Sequence, residues 1–373
     1  MISAPAVVGM PVADIDTPAL IVELDVLERN IRHMQEKVAG RSIYLRPHSK
    51  THKSTMIATL QIAAGARGVC CQKVSEAEIM VDGGVRDVFI SNEVVGPAKI
   101  RRVAALARGA RLAVCVDAAA NVLAHADAAA SFGSTVHVLV ELNVGANRCG
   151  VETAEEVVEL AKLIASRPSL RFAGIQAYQG TAQHLRTAGE RRSAIEQAAA
   201  QVATAVAALG RAGIACDIVA GAGTGTFEFE IASGIYTELQ VGSYIFMDAD
   251  YGANLDAAGR PVSEFPNALF ILTTVMSTPV RERAIVDAGL KALSVDSGMP
   301  RLVGRDDAVY ARASDEHGRI DIEAGGKPFT LGEKLRLIPG HCDPTVNLHD
   351  WFVGVRDGRV ESLWPVSARG ALF

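Results

Sequence analysis

Between about Arg41 and Phe246 the chain alternates eight short β-branched runs with longer amphipathic stretches, and few folds accept that rhythm. The runs are 43–48, 68–72, 87–91, 111–116, 136–142, 171–178, 216–220 and 236–240. Stretches such as 153–166 and 191–212 lie between them, with apolar positions recurring at helical spacing. Strands separated by helices imply parallel strands joined by crossover connections. Eight such units match a (β/α)₈ barrel, with a doubly wound open sheet as the alternative.

Beyond Asn267 the pattern changes to alternating runs at 269–276, 283–287, 334–338 and 351–356, divided by turn residues. This reads as a second, mostly antiparallel β domain. The early run 19–24 has no barrel partner, so it is assigned to the same module. The expected division is a barrel over 25–265 and a β domain made of 1–24 and 266–373.

Composition narrows the function classes. The 373 residues carry a net charge of −5 with His neutral, spread along the chain, which gives no basic surface for nucleic acid or an anionic membrane. No apolar run approaches the ~18 residues of a membrane helix, and residues 1–12 lack a positively charged leader, so a cytoplasmic protein is expected. Six cysteines, with Cys70 and Cys71 adjacent, read as buried thiols rather than a disulfide framework. Small-molecule chemistry is the reading left.

In a barrel, catalytic groups gather at the carboxyl ends of strands. His48 and Lys50 follow the first run, Gln72 ends the second, Asn143 and Arg148 follow the fifth, Tyr178 and His184 the sixth, and Gly221-Ala222-Gly223-Thr224-Gly225 the seventh. A lysine there forms a Schiff base if burial or a neighbouring cation deprotonates its amine, and Arg46, His48, His52 and Lys53 are close in sequence. Taken alone, Lys50 is more readily a solvated loop lysine. The glycine run offers backbone N–H groups to an anion, or is simply a tight turn. A Schiff-base lysine and a phosphate nest in one barrel point together to pyridoxal phosphate.

Four more elements carry chemistry. Tyr178 can stack on a ring, His184 can accept a proton, and Arg148 can approach a cofactor or carboxylate or brace its own loop. His341-Cys342-Asp343 follows the run 334–338. In an extended segment His341 and Asp343 share a side while Cys342 faces away, and imidazole plus carboxylate suits Mn²⁺, Mg²⁺ or Zn²⁺.

Arg46-Pro47-His48-Ser49-Lys50-Thr51-His52-Lys53-Ser54, Cys70-Cys71-Gln72-Lys73, Gln176-Ala177-Tyr178 and His341-Cys342-Asp343-Pro344-Thr345 resemble the D-threonine aldolase and 3-hydroxy-D-aspartate aldolase group. That group, with D-serine dehydratase, is similar to alanine racemase among fold type III pyridoxal-phosphate enzymes. The resemblance runs from Asp16 to Gly370. It implies a cofactor carried on Lys50, contacts from Gln72, Arg148, Tyr178 and Gly223-Thr224-Gly225, a divalent metal (Mn²⁺ or Mg²⁺) at His341 and Asp343, and His184 as base. The implied reaction is retro-aldol cleavage of a D-β-hydroxy-α-amino acid to glycine and an aldehyde by a homodimer. His-Cys-Asp, where the dehydratases carry His-x-Cys, favours the aldolases. A dehydratase releasing ammonia and an oxo acid, a non-catalytic pyridoxal-phosphate carrier and a metal-only barrel enzyme are the alternatives.

Overall fold

A computed structural model describes residues 3–373. Strand β1 (Ala19–Glu23) leads into α1 (Leu24–Val38), whose buried Leu24, Leu27, Ile31, Met34 and Val38 step by three or four residues along one face. The barrel follows as β2 (Tyr44–Leu45), α2 (Thr55–Ala63), β3 (Val69–Cys71), α3 (Val74–Asp82), β4 (Asp87–Glu93), α4 (Pro97–Leu106), β5 (Arg111–Val116) and α5 (Ala119–Phe132). It continues through β6 (Val136–Glu141), α6 (Ala154–Ala165), β7 (Leu170–Gln176), α7 (Ala188–Arg211), β8 (Ile218–Gly221), α8 (Phe227–Ser233), β9 (Glu238–Leu239) and α9 (Ala249–Gly252). Each expected run overlaps one of these strands. Thr153 with Glu156 and Thr187 with Glu190 form capping boxes that start α6 and α7, because each pair satisfies amide groups the first turn leaves free.

The eight barrel strands pair in parallel in the order β2-β9-β8-β7-β6-β5-β4-β3. The sheet curls until β3 meets β2, where a His48–Cys70 bridge and the bonds Cys70 N–H to Pro47 O (2.9 Å) and Arg67 N–H to Leu45 O (2.9 Å) join the edges. Alternate side chains divide inside from outside. Phe89, Ala113, Cys115, Leu139, Ala173, Ile218 and Ala220 fill the lumen, whereas Val88, Ile90, Leu112, Val114, Val138 and Val140 belong to the larger core with the helices.

At the amino end of the strands Arg46 plugs the barrel. It is 1% exposed, donating from Nε to Glu238 (2.8 Å) and from Nη1 to Asp87 (2.7 Å), and these carboxylates raise its pKa despite burial. A Cβ at Gly68 would meet Arg46 Nη1 at 2.8 Å and Asp87 O at 2.2 Å, so only glycine lets the guanidinium pass. Arg46 therefore points away from Lys50 and gives its amine no help. Arg46→Met should strand Glu238 in the interior and cost about 3–5 kcal/mol in urea denaturation; a loss under about 1 kcal/mol would refute the plug.

The second sheet has nine strands. Its members are β1 with β10 (Leu269–Val280), β11 (Arg283–Val286), β12 (Arg301–Leu302), β13 (Ala308–Ala313), β14 (Gly318–Ile322), β15 (Lys334–Ile338), β16 (Trp351–Arg356) and β17 (Arg359–Pro365), with the short α10 (Cys342–Val346) between β15 and β16. Strand β1 pairs antiparallel with β10 and parallel with β16, so the start and finish of the chain share one sheet. The β15–α10 turn brings His341 to the barrel mouth: Asp250 N–H bonds Gly340 O (3.3 Å) and Cys342 N–H bonds Asp248 (3.0 Å).

Candidate active site

A cavity of about 130 Å³ opens at the carboxyl ends of the barrel strands. Of the residues singled out from sequence, Lys50, Gln72, Arg148, Tyr178, His184, Gly223, Thr224, His341 and Asp343 line it. Gly225 does not, and its amide instead donates to Gln183 Oε1 (2.9 Å).

Lys50 sits in a 3₁₀ turn, Ser49–Thr51. Burial works to lower its pKa, but Asp343, with Oδ2 3.8 Å from Nζ, together with Tyr178 and Cys70 raises it above the usual value. The expected deprotonation by sequence neighbours is thus not found: Arg46 lies at the barrel floor, and Lys53 is buried on Glu76 (2.6 Å). His48 is buried, and desolvation followed by the Lys50 charge holds its pKa well below the usual value. Its neutral ring accepts from Lys50 N–H (3.3 Å) and meets Gln72 at 2.9 Å.

Two loops build an anion cradle. The amides of Gly223, Thr224, Gly242 and Ser243 have no acceptor among the described residues, and Thr224 Oγ1 ties the loops by accepting from Tyr244 N–H (3.0 Å). A Cβ at Gly223 would meet Gln183 Oε1 at 2.4 Å and one at Gly242 would meet Thr51 Oγ1 at 2.6 Å, so neither position admits a side chain without displacement. The glycine run was legible in sequence, but Gly242-Ser243 carries no motif and escaped notice. Arg148 lies 5.8 Å from the Tyr178 ring centroid on one side and 3.8 Å from Glu141 on the other. Burial and the neighbouring Glu93 carboxyl push the Glu141 pKa up to about 8, against the pull of Arg148.

Behind the cradle, Glu230 is 1% exposed. Thr226 Oγ1 donates to one of its oxygens (2.8 Å), and the other has no partner. Burial raises its pKa to about 8. The unfolded chain gives up this proton near pH 4.5 while the folded chain keeps it, so its stabilisation is present at acid pH and is lost as pH rises toward 8, by about 1.4 kcal/mol per unit. Glu230→Gln should therefore gain about 3 kcal/mol relative to the parent between pH 5 and pH 8 in urea denaturation. A difference that does not change with pH would overturn this assignment.

His341 and Asp343 meet the cavity from the second sheet. The expected extended segment is instead the N-terminus of α10: His341 is extended and Asp343 lies in the first helical turn. The capping geometry bends the chain and still leaves both side chains on the cavity. Cys342 is buried, with Sγ toward Met247 O (3.4 Å). His341 Nδ1 meets Asp296 at 2.8 Å; burial would lower its pKa, but Asp343, Asp296 and Asp248 together raise it. Burial raises Asp248 to about 6. Across the mouth, His184 Nδ1 lies 2.9 Å from Asp250. Sequence reading gave no role to Asp296, Asp250 or Asp248, whose contacts with His341, His184 and Cys342 span 45, 66 and 94 residues.

The residues fit pyridoxal phosphate: an amine on the cavity, unsatisfied amides for a phosphate, and a tyrosine beside an arginine. They also fit a cation, since Asp343 Oδ1 is buried without a partner. Among the described residues no three His, Cys, Asp or Glu side chains form a ready cage, so an ion held by His341 and Asp343 would keep open positions for water or substrate oxygens.

The model of the alanine racemase N-terminal domain matches residues 22–250. The chain belongs to this fold type III family. A putative serine dehydratase domain model matches residues 268–355. A 3-hydroxy-D-aspartate aldolase of Paracoccus denitrificans (strain Pd 1222) is 52% identical over 370 residues, covering 98% of this chain and 95% of the relative. A D-threonine aldolase of an Arthrobacter species is 49% identical over 366 residues, covering 98% and 96%. The crystal structure of a D-threonine aldolase from Filomicrobium marinum superposes with a TM-score of 0.96 at 48% identity over 100% of both chains. Within the family, the chain falls in the group of these aldolases. Among the described residues no helix is long and apolar enough to cross a membrane.

Proposed function

We propose that this protein is a carbon–carbon lyase that cleaves D-β-hydroxy-α-amino acids, D-threonine or 3-hydroxy-D-aspartate, to glycine and acetaldehyde or glyoxylate. The observation that carries the reading is the 3.8 Å approach of the Lys50 amine to Asp343 across one cavity that also holds the amide cradle. Lys50 would hold pyridoxal phosphate, Gly223 and Thr224 its phosphate with Gly225 shaping the loop, and Gln72, Tyr178 and Arg148 its ring. His341 and Asp343 would hold Mn²⁺ or Mg²⁺. Bound there, the cofactor supplies an electron sink at Cα and the cation a Lewis acid at the β-hydroxyl.

The chain's own residues do the rest. Lys50, whose side chain lines the cavity, would give way to the substrate amine and, once freed, would return a proton to the glycine product. His184 takes the β-hydroxyl proton, and the oxygen's freed electron pair closes to a carbonyl as Cα–Cβ breaks. The walls of the cavity orient the scissile bond and limit water. We further propose a homodimer in the cytoplasm, with a barrel of residues 25–265 and a metal-bearing β domain of 1–24 and 266–373.

Incubating the purified holoenzyme with D-threonine, 3-hydroxy-D-aspartate and D-phenylserine should yield glycine from at least one of them. Ammonia and an oxo acid without glycine would replace this reading with a dehydratase, and no product from any of them would defeat both.

A further inference from the structure

We propose that Asp250 is the positioning residue that makes His184 a proton acceptor, an inference that rests on the aldol-cleavage reading. His184 ends a 3₁₀ turn after β7, and its side chain is 59% exposed at the cavity mouth. Among the described residues, the only hydrogen bond to its ring is the 2.9 Å contact of Nδ1 with Asp250 Oδ2. Asp250, in contrast, is held from several sides. Arg186 donates from Nη2 to Oδ1 and from Nη1 to the Asp250 carbonyl (2.7 Å) and Asn254 Oδ1 (3.0 Å). Arg191 ties down the adjoining loops by donating to Leu185 O (2.9 Å), Arg186 O (2.7 Å) and Leu255 O (2.8 Å).

A carboxylate only accepts hydrogen bonds. The hydrogen of a neutral His184 ring therefore sits on Nδ1, and Nε2 keeps its lone pair. When the β-hydroxyl proton passes to Nε2, the O–H electron pair remains on oxygen and forms the carbonyl, the Cα–Cβ pair stays with Cα, and the new imidazolium faces a carboxylate at 2.9 Å. Arg186 offsets the Asp250 charge, so the pair adds no net anion against an anionic substrate.

The test is Asp250→Asn in two backgrounds. Because Arg186 demands an acceptor, the introduced amide turns its oxygen to Arg186 and its NH₂ to His184 Nδ1, which drives the hydrogen onto Nε2. In the holoenzyme we expect kcat for the best substrate to fall about 10²-fold or more, with KM within about threefold and the visible cofactor absorbance intact. In a His184→Asn background the same change should alter kcat less than about twofold, since the two residues act as a unit. Asp250→Glu, which keeps the acceptor, should recover at least about tenfold over Asp250→Asn. An equal loss in both backgrounds, no loss at all, or a Glu variant no better than Asn would overturn the proposal. If His184→Asn cripples cleavage while Asp250→Asn behaves in any of these ways, the inference fails and the aldolase reading stands. If the parent yields no glycine, that reading itself fails.

Discussion

Lys50→Ala should remove the visible absorbance of lysine-bound pyridoxal phosphate and lower kcat on the order of 10⁴-fold or more, since no other amine can take its place. Lys53, three residues on in the same motif, is the obvious understudy by sequence. Its Nζ is 2.6 Å from Glu76 and 3.5 Å from Ala368 O, its side chain is buried, and its backbone is left-handed at φ 48°. Lys53→Met should accordingly keep the absorbance and lose stability, because it abandons Glu76 in the interior. Absorbance that survives Lys50→Ala and disappears with Lys53→Met would reverse the assignment.

Asp343→Asn, or exhaustive chelation of the parent, should lower cleavage about 10³-fold while the absorbance persists. The carboxylate is placed for this: one oxygen faces Lys50 at 3.8 Å, and the other is buried without a partner. The amide keeps the volume and loses the charge, so a packing role predicts little change and an ion-holding role predicts loss. Metal analysis separates the two, with the Asn variant expected to retain less Mn²⁺ after dialysis. Full activity in the chelated enzyme would remove the cation from the account.

Residues that carry chemistry were legible where local pattern and chemistry coincide. The eight barrel strands announce themselves as β-branched runs because parallel strands covered by helices are apolar on both faces. The capping boxes at Thr153 and Thr187 are written in three-residue spacings. The four strands that escaped notice, β12, β13, β14 and β17, lie in the second sheet. There exposed residues such as Arg312, Arg319 and Glu361 dilute the apolar signal and leave only an alternation that turns also produce. The expectation of an extended His341-Cys342-Asp343 failed for a related reason. Pro344 and Thr345 continue a helical turn that begins two residues earlier, at Cys342, and the bond from Cys342 N–H to Asp248 stabilises that start from 94 residues away.

The sequence by itself determined the class of barrel and the family its motifs belong to, and it singled out the amine, the glycine run and the imidazole–carboxylate pair as candidates. Only the tertiary structure decided which groups serve one another. It sent Arg46 to the barrel floor, set Lys50 against Asp343, joined Gly242 and Ser243 to the glycine run, and gave His184 and His341 a carboxylate each. The physical reason is that a strand or helix is specified by side chains a few residues apart, whereas an electrostatic environment is set by charges within a few ångströms, whatever their separation along the chain.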